Sequence, residues 1–302
     1  MSHIYIFTPS SAVRDKAAFK RGVKRLQAQG HQVEIDADAL SSNMRFAGDD
    51  STRLNAITRA AASGADIAMI SRGGYGLTRL LTQLPYKAIA KAIDKGTQFV
   101  GLSDFTAFQL AVYAKTHRIT WQGPALGEDF GPAHEPDDIM QTCFDDLCLE
   151  QGEGTGWRFP ANELAKPVKV NNAVLWGGNL AVLTSMLGTP FFPAVKGGVL
   201  FLEDVGEHPY KVERMLTQLY NAGVLQQQNA IVFGQFTAYK LVAHDKGFKL
   251  KTVIDRLRSQ LKIPVLTGLP FGHVPTKVLL PIGAKVDLAT EGRDAFLVWG
   301  HI

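Results

Sequence analysis

The chain has 302 residues, 46% of them hydrophobic and 20% charged, with a formal net charge of +4. That length suits two domains and that balance suits packed cores, which excludes a disordered or fibrous chain. Lys and Arg are scattered rather than gathered into a basic stripe with interleaved aromatics, which argues against a nucleic-acid partner. The two cysteines, Cys143 and Cys148, are too few for a disulfide framework or a structural zinc site and read as reduced thiols.

Residues 3–8 form a short β-rich run ending at Pro9. Its apolar part, 4–7, is far too short for a secretory signal or a membrane span. No later run reaches spanning length, so the chain is expected to stay in the cytoplasm with no membrane partner. Helical spacing over 14–29 stops at Gly30, a natural terminator. A strand over 31–35 and a helix over 52–63 follow. The nearly continuous apolar run over 65–71 is expected of a strand covered on both faces. Gly73, Gly74 and Gly76 separate it from another helical stretch, and a strand over 99–102 runs directly into a helix over 105–113. This rhythm predicts a parallel-sheet α/β domain over residues 1–135. Residues 136–166, rich in Pro, Gly and acidic side chains, read as a linker, with the helical stretch bearing both cysteines inside it. A second domain, 167–302, opens on GGN at 177–179 and a helical stretch. It continues with strands at 199–202 and 230–233, an amphipathic helix at 211–222 and a strand-rich tail at 277–288. The two halves differ in pattern, so a duplicated domain is not expected.

Four places can carry chemistry. Ser103 stands where a strand meets a helix, a turn that lifts a serine oxygen above the sheet edge. The N–H of Asp104 then lies at a helix N-terminus, where unpaired donors and the helix dipole welcome an oxyanion. Capping that helix is the ordinary alternative role for Ser103. Phe105 also replaces the second glycine of G-x-S-x-G, so this is not an ordinary α/β-hydrolase elbow. The segment Ser71-Arg72-Gly73-Gly74-Tyr75-Gly76 leaves N–H groups free to face an anion. It fits neither G-x-G-x-x-G nor a Walker A loop, and a tight structural turn is an equal reading. Glu203 and Asp204 end an apolar strand, the usual place for functional groups in α/β sheets. A metal reading lacks ligands, because only His208 is near in sequence, and Asp204 fits a solvated strand end or a cap. Of eight histidines, His273 alone follows a short apolar strand and a tight loop, and a structural role is its alternative. Together these places supply a nucleophile, an acid and a base, each after a strand. Triad chemistry needs the roles in space rather than in any sequence order.

The segments SRGGYGLTRLL, GLSDFTAFQ, WGGNLAVLTSMLGTP, FLEDVGEHPYKVERMLTQLYNAG and LPFGHVPTKVLLPIGA resemble, in order and across most of the chain, the LD-carboxypeptidases. These serine peptidases are also called muramoyltetrapeptide carboxypeptidases. The resemblance implies an α/β N-terminal domain carrying the nucleophile Ser103 and a smaller β-rich C-terminal domain carrying the acid Glu203 and the base His273. It implies an active site in the cleft between them, often in a homodimer. The oxyanion donors map onto the backbone N–H groups of Asp104 and Gly74, with Gly73 close behind, and Arg72 is the candidate contact for a substrate carboxylate. The implied substrate is a murein tetrapeptide losing its terminal D-alanine in cell-wall recycling, with no cofactor or metal. A related branch detoxifies a peptide–nucleotide antibiotic with the same triad. A non-catalytic binder, with GGYG and WGGN cradling phosphates or sugars, is the alternative from another class. Val274 follows His273 where many members carry Gly or Glu, a departure at the rim of the substrate site.

Overall fold

The computed structural model describes residues 1–160 and 167–302. Two compact units are present: Met1–Gly152 with Thr189–Pro193 and Pro275–Ile282, and Glu153–Gly188 with Ala194–Val274 and Gly283–Ile302. In chain order the elements are β1 (His3–Phe7), α1 (Lys16–Ala28), β2 (Gln32–Ile35), α2 (Asp50–Ala62), β3 (Ile67–Ile70), α3 (Tyr86–Ile93), β4 (Gln98–Gly101), α4 (Phe105–Thr116), β5 (Thr120–Gln122) and α5 (Asp138–Leu149). They continue with β6 (Gly154–Arg158), β7 (Lys169–Asn179), α6 (Leu180–Ser185), β8 (Val199–Val205), α7 (Pro209–Asn221), β9 (Ala230–Thr237), α8 (Leu250–Gln260), β10 (Val265–Leu266), β11 (Leu280–Ile282), β12 (Lys285–Glu291) and β13 (Asp294–Val298).

The first unit is built on a six-stranded sheet in the order β11-β5-β4-β3-β1-β2. β1 to β5 pair in parallel and β11 closes the edge antiparallel to β5. All four residues of β3 are buried, because a parallel sheet is covered on both faces. The N-termini of α1 and α2 are fixed by Asp15 and Asp49, whose carboxylates accept from the N–H groups of Ala18 and Thr52. α4 is buried from Phe105 to Val112, as expected of a helix that is apolar all round. The strand order reverses between β1 and β3. In doubly wound sheets the carboxyl ends of the strands at such a switch point are where ligands bind. Residues 8–11 and 71–76 leave the sheet there.

The second unit has a seven-stranded sheet in the order β10-β9-β8-β7-β12-β13-β6. β7 to β10 pair in parallel and β12, β13 and β6 continue antiparallel. Strand content is high, and α6, α7 and α8 accompany it. β8 is an interior strand, buried from Val199 to Asp204. Its pairing with β9 slips at Glu203: Leu202 faces Phe233, but Asp204 faces Phe236. A bulge of this kind re-aims the side chain at the irregular position.

The structure differs from the sequence reading at the domain limits. The stretch read as a linker holds α5, which belongs to the first unit, and β6, which belongs to the second; its residues 161–166 lie outside the described residues. α5 is capped by Asp137, which accepts from Ile139 and Met140 N–H, and it buries Met140, Phe144 and Leu147. The strand-rich tail is also divided. Residues 275–282 return to the first unit, because β11 supplies a buried edge for β5. The stretch after Gly76 is only a turn of 3-10 helix, Leu77–Arg79, before α3. Among the described residues no helix is long and apolar enough to cross a membrane.

Candidate active site

In the first unit Ser103 has φ of 65°. That left-handed backbone is strained for a residue with a Cβ and is the conformation of a nucleophile turn. Ser103 does not cap α4. The cap position is Asp104, without a side-chain cap bond, so the structure removes the capping alternative. Ser103 is half-buried. Gly73 lies directly against it: a Cβ on Gly73 would stand 2.6 Å from Ser103 Cβ and 2.8 Å from its Oγ. The glycine is therefore what lets backbone N–H groups come this close to the serine oxygen. Gly74, with φ of 118°, fits against Ser11, whose Oγ accepts from Tyr75 N–H at 3.1 Å. Among the described residues the N–H groups of Gly73, Gly74 and Asp104 donate to no protein acceptor. They are spare donors beside a half-buried serine, a donor set of the kind that can bind an oxyanion.

Arg72 is half-buried and its Nη1 donates to Ala12 O at 3.1 Å. Burial lowers its pKa, and the like charges of Arg14 and Arg45 act in the same direction against Glu128. Arg14, Arg45 and Glu128 are thus charged neighbours of Arg72, and none of the three was singled out from sequence.

In the second unit His273 Nδ1 lies 2.8 Å from Glu203 Oε2. The Glu203 side chain is 1% exposed and the His273 side chain 16%. A carboxylate only accepts, so Nδ1 carries the proton and Nε2 is the basic nitrogen. The other Glu203 oxygen accepts from Asn179 Nδ2 at 3.2 Å. Gly272, with φ of 141°, turns the chain so tightly that a Cβ there would lie 3.0 Å from Gln235 O. Gln235 N–H donates to Phe271 O at 2.8 Å and its Nε2 to Leu269 O at 3.0 Å. The extra residue of the bulge in β9 therefore braces the loop that carries His273. Val274 N–H closes that loop on Gly272 O at 2.9 Å.

Asp204 is neither solvated nor a simple cap. It is 3% exposed and accepts from Asn179 Nδ2, Ala181 N–H and Val205 N–H. Burial, with the neighbouring Glu203 charge, pushes its carboxyl up to about 6 against the pull of those donors. Asn179 and Gln235 were not singled out from sequence. The signal for Asn179 was a short polar side chain just before a helical run, since its Oδ1 caps α6 by accepting from Val182 N–H. Gln235 had no such signal. His208 is engaged elsewhere, with Nε2 3.1 Å from Asp245 Oδ2. Among the described residues no group of three or more His, Cys, Asp or Glu is placed to hold a metal ion. Cys143 and Cys148 are both free thiols.

The chain matches the LD-carboxypeptidase N-terminal domain over residues 4–123 and the LD-carboxypeptidase C-terminal domain over residues 172–288. It is 30% identical to the probable murein peptide carboxypeptidase of Bacillus subtilis (strain 168), over 91% of this chain and 85% of that protein. It is 26% identical to the Escherichia coli microcin C7 self-immunity protein MccF, over 95% of this chain and 91% of that one. The crystal structure of muramoyltetrapeptide carboxypeptidase from Oxalobacter formigenes superposes with a TM-score of 0.89 at 37% identity, covering 99% of this chain and 98% of that chain.

Proposed function

The chain belongs to the LD-carboxypeptidase family of peptidases, and from that premise we propose that it is a serine carboxypeptidase releasing the terminal D-alanine of a murein tetrapeptide in cell-wall recycling. The observation that carries the proposal is the bond between His273 Nδ1 and the buried Glu203. It leaves Nε2 as a proton acceptor in a chain that also presents Ser103 on a strained turn.

The reaction then follows from these groups. His273 Nε2 takes the Ser103 proton as Oγ attacks the scissile carbonyl. Glu203 holds the imidazole tautomer and stabilises the imidazolium. The N–H groups of Asp104 and Gly74, with Gly73 beside them, bind the developing oxyanion, each such donor contributing about 3 kcal/mol. The imidazolium protonates the leaving amine of D-alanine, and water, activated by the same ring, releases the acyl group from Ser103. Arg72 is assigned to a substrate carboxylate. The proposal extends to a homodimer acting in the cytoplasm, which light scattering and cell fractionation would check.

The likeness to the Oxalobacter protein supports the murein branch over the microcin one. The second reading, cleavage of a peptide–nucleotide antibiotic, is motivated by the likeness to the E. coli protein over nearly the whole chain. Mass spectrometry of a murein tetrapeptide and of an aminoacyl-sulfamoyl adenosine, each incubated with the protein, separates the two. Conversion of tetrapeptide to tripeptide and D-alanine is expected. Cleavage of the adenosine compound alone would transfer the protein to the other branch.

A further inference from the structure

Two buried charges of the first unit have side chains that the mechanism does not use. Arg53, from α2, is 0% exposed and Asp104 is 2% exposed. Arg53 Nη1 donates to Pro9 O at 3.3 Å and to Gly76 O at 3.0 Å, and its Nη2 pairs with Asp50. Its guanidinium also lies 4.8 Å from the centre of the Phe46 ring. Asp104 Oδ2 accepts from Ser10 Oγ at 2.6 Å and from Leu77 N–H at 2.9 Å. The Arg53 guanidinium therefore holds residues 9 and 76, and the Asp104 carboxyl holds residues 10 and 77. These are adjacent positions on the same two loops, the ones that leave β1 and β3 at the switch point. The second of these loops carries Gly73 and Gly74. Gly76, with φ of 140°, has no side chain because Arg53 occupies the space: a Cβ there would lie 2.5 Å from Nη1. Burial raises the pKa of Asp104, and the Ser10 and Leu77 donors, then the Arg53 and Arg45 charges, oppose that rise.

We propose that Arg53 and Asp104 are positioning residues for the oxyanion hole, a clamp of two buried, hydrogen-bonded side chains that fixes the Gly73–Gly74 backbone against Ser103. The inference rests on the serine-peptidase reading of the site. The residue after the nucleophile then has two tasks: its N–H faces the oxyanion, and its carboxylate anchors the loop that supplies the other donor. Burying ionisable side chains is expensive even where they are hydrogen-bonded, so these two belong where loop position matters more than loop stability.

The experiment compares wild type with Asp104→Ala, Asp104→Asn, Ser10→Ala and Ser103→Ala. It measures D-alanine release, the rate at which a fluorophosphonate labels Ser103, and thermal melting. Asp104→Ala is expected to lower kcat about 100-fold, the size of losing one oxyanion donor, with KM within about threefold. Asp104→Asn keeps an oxygen that can accept from both Ser10 and Leu77 and recovers activity to within about tenfold of wild type. Ser10→Ala removes one of the two bonds and lowers kcat about three- to tenfold. Labelling of Ser103 slows in the same order, because the phosphonyl oxygen sits in the same hole. If Asp104→Ala does not fold, Ser10→Ala and Asp104→Asn carry the test. Unchanged kcat and labelling in folded Asp104→Ala or Ser10→Ala, or a loss in KM alone, overturns the clamp. Labelling without D-alanine release faults the substrate reading instead, and activity in Ser103→Ala faults the nucleophile.

Discussion

Ser103 is held by backbone conformation, whereas His273 is held by a relay of side-chain hydrogen bonds. In the first unit a positive φ, a glycine at van der Waals contact and spare N–H groups define the site. In the second, Asn179, Glu203 and His273 form a line of hydrogen bonds on a buried strand end. The two halves should therefore fail in different ways. The Ser103 side is sensitive to added volume, because its geometry is set by how closely chains approach. The His273 side is sensitive to charge, because its geometry is set by which atoms donate and which accept.

Glu203→Gln tests the charge side most severely. The amide keeps the shape but offers an N–H to the ring, favours the wrong tautomer and is expected to lower kcat by about 10⁴-fold. Steady-state kinetics with a melting control reads this outcome, and a loss under tenfold would mean that Glu203 merely packs.

Lys277 and Asp129 show that the first unit also buries a pair, with side chains 3% and 4% exposed. Lys277→Met leaves Asp129 unpaired and should destabilise the protein by about 3–5 kcal/mol in urea titrations, while Lys277→Met with Asp129→Leu restores much of it. No loss in the single variant would remove buried charge from the account of the first unit's stability.

Asp204 gives the comparison a pH axis. Its carboxyl, pushed up to about 6 by burial, binds more protons in the folded than in the unfolded chain between pH 4 and 6. Its contribution to stability is therefore fully present below pH 4 and is lost as pH rises through 6. Asp204→Asn cannot titrate, so its stability should gain on wild type by up to about 3 kcal/mol from pH 4 to 7. Parallel urea curves across that range would contradict the assignment.

Gly73→Ala tests the volume side. The new methyl meets Ser103 Cβ at 2.6 Å, and the shift it forces should lower kcat about 10- to 100-fold. The melting temperature should fall as well, since no serine rotamer moves Cβ and the backbone must give way. Wild-type turnover in this variant would break the contrast between the two sides.

Much of this was legible from residues near one another in sequence. The alternation of apolar runs with glycine-stopped helices marks the parallel sheet. A serine between strand and helix, an acid pair ending a strand and a histidine after a glycine turn mark the candidate groups. What could not be read depends on distant segments. Arg53 sits in an ordinary amphipathic helix and looks solvent-facing until β1 and β3 bring residues 9 and 76 to it. The bulge at Glu203 arises from an extra residue in β9, about thirty positions away, and local pattern carries no trace of it. The return of residues 275–282 to the first unit was hidden because a buried edge strand reads the same in either sheet.

In our proposal the Ser103 oxygen is the attacking group and the Glu203–His273 pair takes its proton. It is tested most directly by following D-alanine release from a murein tetrapeptide by wild type and by a folded Ser103→Ala variant at equal concentration. Loss of at least about 10⁴-fold in the variant is predicted. Release by the variant at a rate near that of wild type would contradict the account.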